Sequence, residues 1–380
     1  MFFIRTPIKA VTLCILLLAL WALCMLKEPS SVYSLMNKAP MGCNLYGKSF
    51  AVNYQYFVHD EEKNTPIAYG LTVYTDLDRT IRLLRAIHRP QNVYCVHVDK
   101  KTKPEYVCDL RNATNCIGDN IFFVPDNSRL DVRWGTSTNL LPELLCAELL
   151  LKRNKSWKYF INLTGQEFPL KTNWEIVTAL AALNGTNLVE SSIKGRNIWR
   201  IPPANYTSFN VTYFKGPIHV ALRREFVKFM LYDKKAKELL SALMRYERFS
   251  RRGIHMDETF FATLNRNPKV FPALGASLEA RDTYVVGFVR EKSWCTTNAP
   301  CKTKIYKRCI CMYGLLDLPF LMNSSNFFAN KFDVSVQPET YKLLESWLSS
   351  KMLHEKIYHS LHPSFNRNTY AKSRIVWNHL

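Results

Sequence analysis

No internal repeat, no low-complexity tract and no His/Cys cluster with zinc spacing occurs in this chain, although it carries 11 cysteines. Repeat solenoids and zinc-stapled modules are therefore set aside. Cys309-x-Cys311 comes nearest to a zinc half-site, but it lies in a strand-like run without a matching pair. Acidic residues are also scarce: 31 Asp and Glu face 51 Lys and Arg, a net charge of +20. The surplus is not gathered into one tract. Lys152-Arg153, Arg223-Arg224 and Arg251-Arg252 are scattered, unlike the clustered footprint of a nucleic-acid binder. Anionic nucleotide-sugars, acidic glycans and lipid headgroups are the partners such a charge suits. A merely soluble basic surface is the competing reading.

The long hydrophobic run is confined to the N-terminus. Ala10 to Leu26 is apolar apart from Thr12, follows Arg5 and Lys9, and ends at Lys27-Glu28-Pro29. Its length is at the short end for a spanning helix, and the basic flank predicts a cytoplasmic N-terminus. The expected organisation is a cytoplasmic tail over 1–9, a transmembrane signal anchor over 10–26, a lumenal stem over 27–64 and a lumenal domain over 65–380. A cleaved signal peptide is the rival, disfavoured because no small-x-small cleavage site follows. A lumenal chain does not meet nucleic acid, which removes that partner.

Cysteine and sequon usage agree with a lumenal address. Outside the apolar run, nine cysteines stand at 43, 95, 108, 116, 146, 295, 301, 309 and 311, enough for several disulfides in an oxidising compartment. Glycan acceptor patterns fall at Asn112, Asn154, Asn184, Asn205, Asn210 and Asn323. A seventh, Asn162, sits in the strand-like run Tyr159-Phe-Ile-Asn-Leu and is expected to be buried and unmodified.

From Pro66 the texture alternates. Ala68–Thr75, Val93–Val98, Ile121–Val124 and Lys158–Leu163 read as strands, and Leu77–Ile87 and Leu140–Leu151 as helices. Such alternation predicts a parallel-rich α/β sheet, with ligands at the carboxyl ends of its strands. Thr75, Asp99 and the residues after Leu163 are where chemistry should collect.

The stretch His255–Leu264, HMDETFFATL, carries the acidic pair Asp257-Glu258 at the start of an expected helix. Acids there either serve a reaction or merely complement the helix dipole. Asp76-Leu77-Asp78 has the D-x-D form with which many sugar transferases hold a divalent metal, yet it leads into a helix for which Asp78 is a good N-cap. Without a metal, a diphosphate leaving group needs protein cations. Arg308, in a cysteine-punctuated basic strand, and Lys331, in Phe-Ala-Asn-Lys-Phe-Asp, have the right chemistry.

These pieces, in order, resemble one family. Pro66-Ile-Ala-Tyr, Leu83-Leu-Arg-Ala-Ile, Asn92 to Asp99, Arg133-Trp-Gly, the block Trp157 to Asn173 containing NLTGQEFPLKTN, Lys215 to Val227, Met256 to Leu264 and Phe328 to Asp333 resemble the core-2/I-branching β-1,6-N-acetylglucosaminyltransferases. Their wider membership includes peptide-O-xylosyltransferases. The resemblance implies a GT-A-like, Rossmann-type mixed α/β sheet flanked by helices. It also implies an inverting transfer of GlcNAc from UDP-GlcNAc in β-1,6 linkage to a glycan or glycoprotein acceptor, without metal or other cofactor, in the Golgi membrane.

Residue by residue, Glu258 matches the family's base, with Asp257 orienting the acceptor side. Val73, Thr75 and Asp99 match the nucleoside side of the donor pocket, and Arg308 and Lys331 match the diphosphate cations. Glu190, Lys194 and Arg196 resemble the acceptor loop, though their spacing differs from the family's. Trp294 is either an acceptor platform or a core tryptophan. The resemblance further pairs Cys43 with Cys116, Cys95 with Cys146, and Cys301 with Cys311. It leaves Cys108 unassigned, with Cys295–Cys309 as an extra bridge. A relative using another donor sugar, or a catalytically silent glycan binder, are the alternatives, since fold does not fix function.

Overall fold

The computed structural model describes residues 58–380 except 154, 155, 251 and 252. The expected tail, anchor and most of the stem, Cys43, and the sequon at Asn154 lie outside the described residues. Among those residues, no helix is long and apolar enough to cross a membrane.

The strands are, in chain order, β1 (Ile67–Val73), β2 (Val93–Val98), β3 (Ile121–Phe123), β4 (Tyr159–Thr164), β5 (Glu167–Pro169), β6 (Leu188–Val189), β7 (Val220–Arg223), β8 (Arg290–Glu291), β9 (Tyr306–Lys307), β10 (Ile310–Cys311) and β11 (Phe328–Asn330). The main sheet has the order β3-β2-β1-β4-β7-β6. Strands β3, β2, β1 and β4 are parallel, and β7 runs antiparallel to both β4 and β6. Helices cover both faces of the parallel half, so β1 and β2 are buried almost throughout. That two-sided burial is why they read as continuous apolar runs instead of alternating ones.

Two apolar clusters flank this sheet. One joins Phe160, Trp157, Leu144, Phe226, Leu239 and Leu264 across the helices Leu141–Arg153, Arg224–Tyr232, Lys234–Phe249 and Phe260–Asn265. The other packs Phe168, Tyr313, Phe332, Tyr341 and Leu348 under the helix Glu339–Tyr358. A second sheet, β5-β11-β8, draws together strands widely separated in sequence, and β9 and β10 form a hairpin.

Several expectations need correction. The helix Leu77–Ile87 is present, but its N-cap is Asp76, whose carboxylate accepts from Arg79 N at 3.0 Å. Asp78 lies inside the first turn and pairs with Arg82 Nε at 2.6 Å. A cap stands directly before the first helical residue, and with the helix starting at Leu77 that residue is Asp76. The segment 58–64, assigned to the stem, contains the helix Asp60–Asn64. Its Glu62 is buried and accepts from Asn173 Nδ2 at 2.6 Å, so the domain starts earlier than residue 65.

Cys95 and Cys146 do not form the implied disulfide. Both are free and buried, and the Cys146 thiol donates to the Cys95 carbonyl at 3.5 Å. Burial, with Cys95 beside it, raises the Cys146 thiol well above its ordinary range. Cys301 is bonded to Cys311 and Cys295 to Cys309. Cys108 is free and exposed, and Cys116 is disulfide-bonded. Asn162 is buried, with its side chain spent on Ile218 O and Val220 N. The sequons at Asn112, Asn184, Asn205, Asn210 and Asn323 are exposed.

Candidate active site

The expected helix over 255–264 is two pieces, a single 3-10 turn at Met256–Glu258 and the helix Phe260–Asn265. His255 enters the turn with φ 50°, and its N–H donates to Gly135 O at 3.1 Å. Glu258 N donates to His255 O at 3.0 Å, and Glu258 O accepts from Gly216 N at 2.8 Å. A Cβ on Gly216 would stand 2.0 Å from Glu190 O. Only glycine lets this backbone pass between the acidic turn and the Glu190 backbone.

The two acids part company here. The Glu258 side chain is 30% exposed, and its Oε2 accepts from Arg200 Nη1 at 2.7 Å. Asp257 is buried. Its Oδ2 accepts from Asn139 Nδ2 at 2.7 Å, while Oδ1 has no hydrogen-bond partner among the described residues. Burial and the neighbouring Glu258 push the Asp257 carboxyl up to about 6. Asp257 anchors the turn from beneath, and Glu258 faces outward.

Arg308 is not in a strand. It and Cys309 form the two-residue turn between β9 and β10, with φ of 53° and 63°. A two-residue hairpin turn of this hand needs positive φ at both positions, which usually selects Asn and Gly. Arg and Cys there cost about 1–2 kcal/mol each. The Cys295–Cys309 disulfide and the bond from Cys295 N to Cys309 O at 2.9 Å hold the turn in place. The strain aims the guanidinium at Trp134, whose ring centroid lies 5.1 Å away.

Lys331 follows β11 and Lys292 follows β8. These strands are parallel neighbours, so both lysines leave the sheet at the same end. Burial, then Arg308 and Lys307, brings the Lys331 ammonium down to about 8. Burial also brings Lys292 down to about 8, against the pull of Glu167 and with a push from Arg290. Glu167 has little attraction to spare. It is fully buried and already accepts from Thr164 N at 3.1 Å, Asn330 Nδ2 at 3.1 Å and Arg290 Nη2 at 2.9 Å. The result is a cluster of neighbouring cations that disfavour one another's charge.

Trp134 links the two halves. It is 62% exposed, lies beneath Arg308, and meets the His255 ring edge-on at 4.5 Å. His255 in turn feels the charges of Arg200 and Glu258. The adjoining Gly135 has φ +81°, and a Cβ there would press on the His255 ring at 3.2 Å. The same loop reaches the strand ends. Lys101 Nζ bonds Asp99 Oδ2 at 3.1 Å, Val132 O at 2.7 Å, and Asp131. Asp99 N bonds Val73 O at 2.9 Å, which brings Val73, exposed Thr75 and Asp99 together at the carboxyl ends of β1 and β2.

Of the residues expected to meet an acceptor, Arg196 lines the same recess as Glu258 and donates to Tyr213 O at 2.7 Å. Lys194 is exposed on the turn before it. The charge of Glu190 bears on Tyr284 and Lys292. Trp294 is 38% exposed, so it is not a core tryptophan, and Lys292 Nζ stands 5.7 Å from its ring. Among the described residues, no group of three or more His, Cys, Asp or Glu side chains is placed to hold a metal ion.

The family model of the Core-2/I-Branching enzyme matches residues 67–319. The chain belongs to the core-2/I-branching enzyme family. Beta-1,3-galactosyl-O-glycosyl-glycoprotein beta-1,6-N-acetylglucosaminyltransferase 4 of Danio rerio is 32% identical over 335 residues, covering 79% of this chain and 74% of its own. An N-acetyllactosaminide beta-1,6-N-acetylglucosaminyl-transferase of Mus musculus is 34% identical over 319 residues, covering 78% of this chain and 75% of its own. The protein of the same description from Homo sapiens is 32% identical over 306 residues, covering 75% and 73%.

In this branching enzyme, three residues of the site escape a reading of the sequence. Arg200 and Lys292 stand in no periodic pattern, and each is one of 51 basic residues. Trp134 did leave a signal in the Arg-Trp-Gly triplet: a glycine beside an aromatic fits a tight turn that presents a ring to solvent.

Proposed function

We propose that this protein is an inverting, metal-independent glycosyltransferase that moves GlcNAc from UDP-GlcNAc in β-1,6 linkage onto a glycan acceptor. We place it as a single-pass type II protein of the Golgi membrane with a lumenal catalytic domain. The observation that carries the reading is the division of the site across Trp134. A partly exposed carboxylate, Glu258, lies on one side, and the cations Arg308, Lys331 and Lys292 on the other.

Glu258 takes the proton of the acceptor's C6 hydroxyl as that oxygen attacks the anomeric carbon. The bond from C1 to the β-phosphate oxygen breaks, its electron pair leaves with UDP, and the configuration inverts. Arg308 and Lys331 meet the charge that builds on the diphosphate, the task a divalent metal performs in other transferases. Val73, Thr75 and Asp99 hold the nucleoside end. Glu190, Lys194, Arg196 and Trp294 are assigned to the acceptor.

A donor-by-acceptor screen of the lumenal domain tests the reading. GlcNAc transfer to a glycan from UDP-GlcNAc supports it. Transfer from another nucleotide-sugar alone would favour the other-donor alternative, and UDP binding without turnover on any acceptor would favour a silent member. Activity that stops in EDTA would return Asp76-Leu77-Asp78 to consideration as a metal site.

The lysines give a pH test. Both are charged below about 8 and lose their protons above it. UDP binding favours the charged forms, so their loss lowers affinity above pH 8. The loss approaches about tenfold per pH unit for each linked proton. Lys331→Ala weakens UDP binding at pH 7 and flattens this profile. A profile equally steep in the variant would remove Lys331 from the donor site. Calorimetric titration with UDP between pH 6.5 and 9 measures both.

A further inference from the structure

The donor-side cations hang on one short ribbon. β10 pairs with β9 through Ile310 with Lys307 and Cys311 with Tyr306. It also meets the segment after β8, where Trp294 bridges Ile310 and Cys311 N donates to Ser293 O at 2.9 Å. Lys331 joins the same ribbon: its N–H donates to Cys311 O at 3.3 Å, and its carbonyl accepts from Tyr313 N at 2.9 Å. The three cations are not held equally. Lys292 and Lys331 directly follow strands of the second sheet, whereas Arg308 stands at the tip of a hairpin with two residue pairs. Both β9 residues are exposed, and so short a hairpin is marginal by itself. Cys301–Cys311 and the bond from Met312 N to Ile305 O at 2.8 Å fasten its base. The tip lies beyond them. Arg308 and Cys309 are both left-handed there, a backbone that side chains other than Asn and Asp disfavour, and Cys295–Cys309 is the cross-link that reaches it.

Resting on the donor reading above, we propose that Cys295 and Cys309 are positioning residues of the donor site, whose bridge keeps Arg308 left-handed and its guanidinium over Trp134. Without the bridge, the tip is free to relax to an ordinary turn with negative φ. That change swings the Arg308 side chain away from the ring it now covers at 5.1 Å. The backbone bond from Cys295 N to Cys309 O is a single hydrogen bond, worth too little to offset two left-handed residues. A covalent link has no such limit, since it confines Cys309 to the neighbourhood of Cys295 whatever the turn prefers. The bridge also sets a spacing across the site. Trp294 precedes one bridged cysteine and Arg308 the other. The ring assigned to the acceptor and the cation assigned to the diphosphate thus share one covalent frame.

The test is a cycle of UDP titrations by calorimetry, with melting curves to show that each variant is folded. Cys295→Ala with Cys309→Ala should weaken UDP binding about tenfold, the scale of the left-handed penalty. The same pair made in an Arg308→Ala background should cost less than about twofold, because a bridge that acts through Arg308 has nothing left to position. Cys295→Ala with Cys309→Gly should regain about threefold, since glycine takes a φ of 63° freely without the cross-link. Three results overturn the proposal: UDP affinity unchanged by the paired alanines, an equal loss with and without Arg308, or no gain from glycine over alanine at 309. The Arg308→Ala arm reports on the donor reading separately. If that variant binds UDP as tightly as the parent, Arg308 leaves the donor site and the proposal falls with it.

Discussion

Glu258→Gln lowers kcat by roughly 10²–10⁴-fold while UDP affinity stays within about twofold of the parent, the expected loss for a missing general base. The substitution isolates chemistry from structure. The bonds that shape the turn, from Gly216 N to Glu258 O and from Glu258 N to His255 O, belong to the backbone and survive any side-chain change. Glutamine also keeps an oxygen for Arg200, so the loop over 193–212 retains its tether. What disappears is the proton acceptor. The loss therefore falls on kcat more than on KM, because the proton moves only in the transition state. Steady-state kinetics beside a UDP titration decide the matter. Turnover within threefold of the parent would take Glu258 out of the mechanism and turn attention to Asp257. That residue is a poor substitute: it is buried, tied to Asn139, and protonated in part near pH 6.

The fold was legible where burial writes a simple pattern. Strands β1, β2 and β4 and the helix Leu77–Ile87 lie within two residues of their expected bounds. Each is a run whose residues face apolar neighbours, so the side chains alone report the environment. The site was legible only in part, because its walls are built by tertiary contact. Strands β5, β8 and β11 have three residues or fewer, too short for a periodic signal, yet their pairing brings Lys292 and Lys331 to one edge. Arg308 read as a strand residue because cysteines and apolar residues surround it. Nothing local announces a turn made of Arg-Cys, and the distant Cys295 is what permits it. Glu258 stood out as an acid at an expected helix start, but its separation from Asp257 follows from a 3-10 turn that hydropathy cannot show. The wrong cap at Asp78 has a similar origin, since both aspartates suit the sequence and only the helix start chooses between them.

Glu167→Ala is expected to destabilise the protein by roughly 3–5 kcal/mol, the usual cost of removing one partner from a buried ion pair. Glu167 is fully buried between the main sheet and β11, and it satisfies Arg290, Asn330 and the amide of Thr164 at once. Its loss leaves the Arg290 guanidinium, itself buried, facing Lys292 and His219, with Glu143 as the remaining acid that bears on it among the described residues. Glu143 takes over only in part: burial, and the neighbouring Glu167 itself, raise its carboxyl to about 8 in the parent. At about 2 °C per kcal/mol for a domain of this size, the melting temperature falls by roughly 6–10 °C. Glu167→Gln keeps the shape and two hydrogen bonds and should lose about half as much. The donor site should suffer with the fold. Asn330 precedes Lys331, and Arg290 stands two residues before Lys292, so loosening Glu167 lets both lysines drift. UDP affinity should therefore fall in both variants at temperatures well below melting. A variant that melts lower while binding UDP as tightly as the parent would show that Glu167 supports only the core.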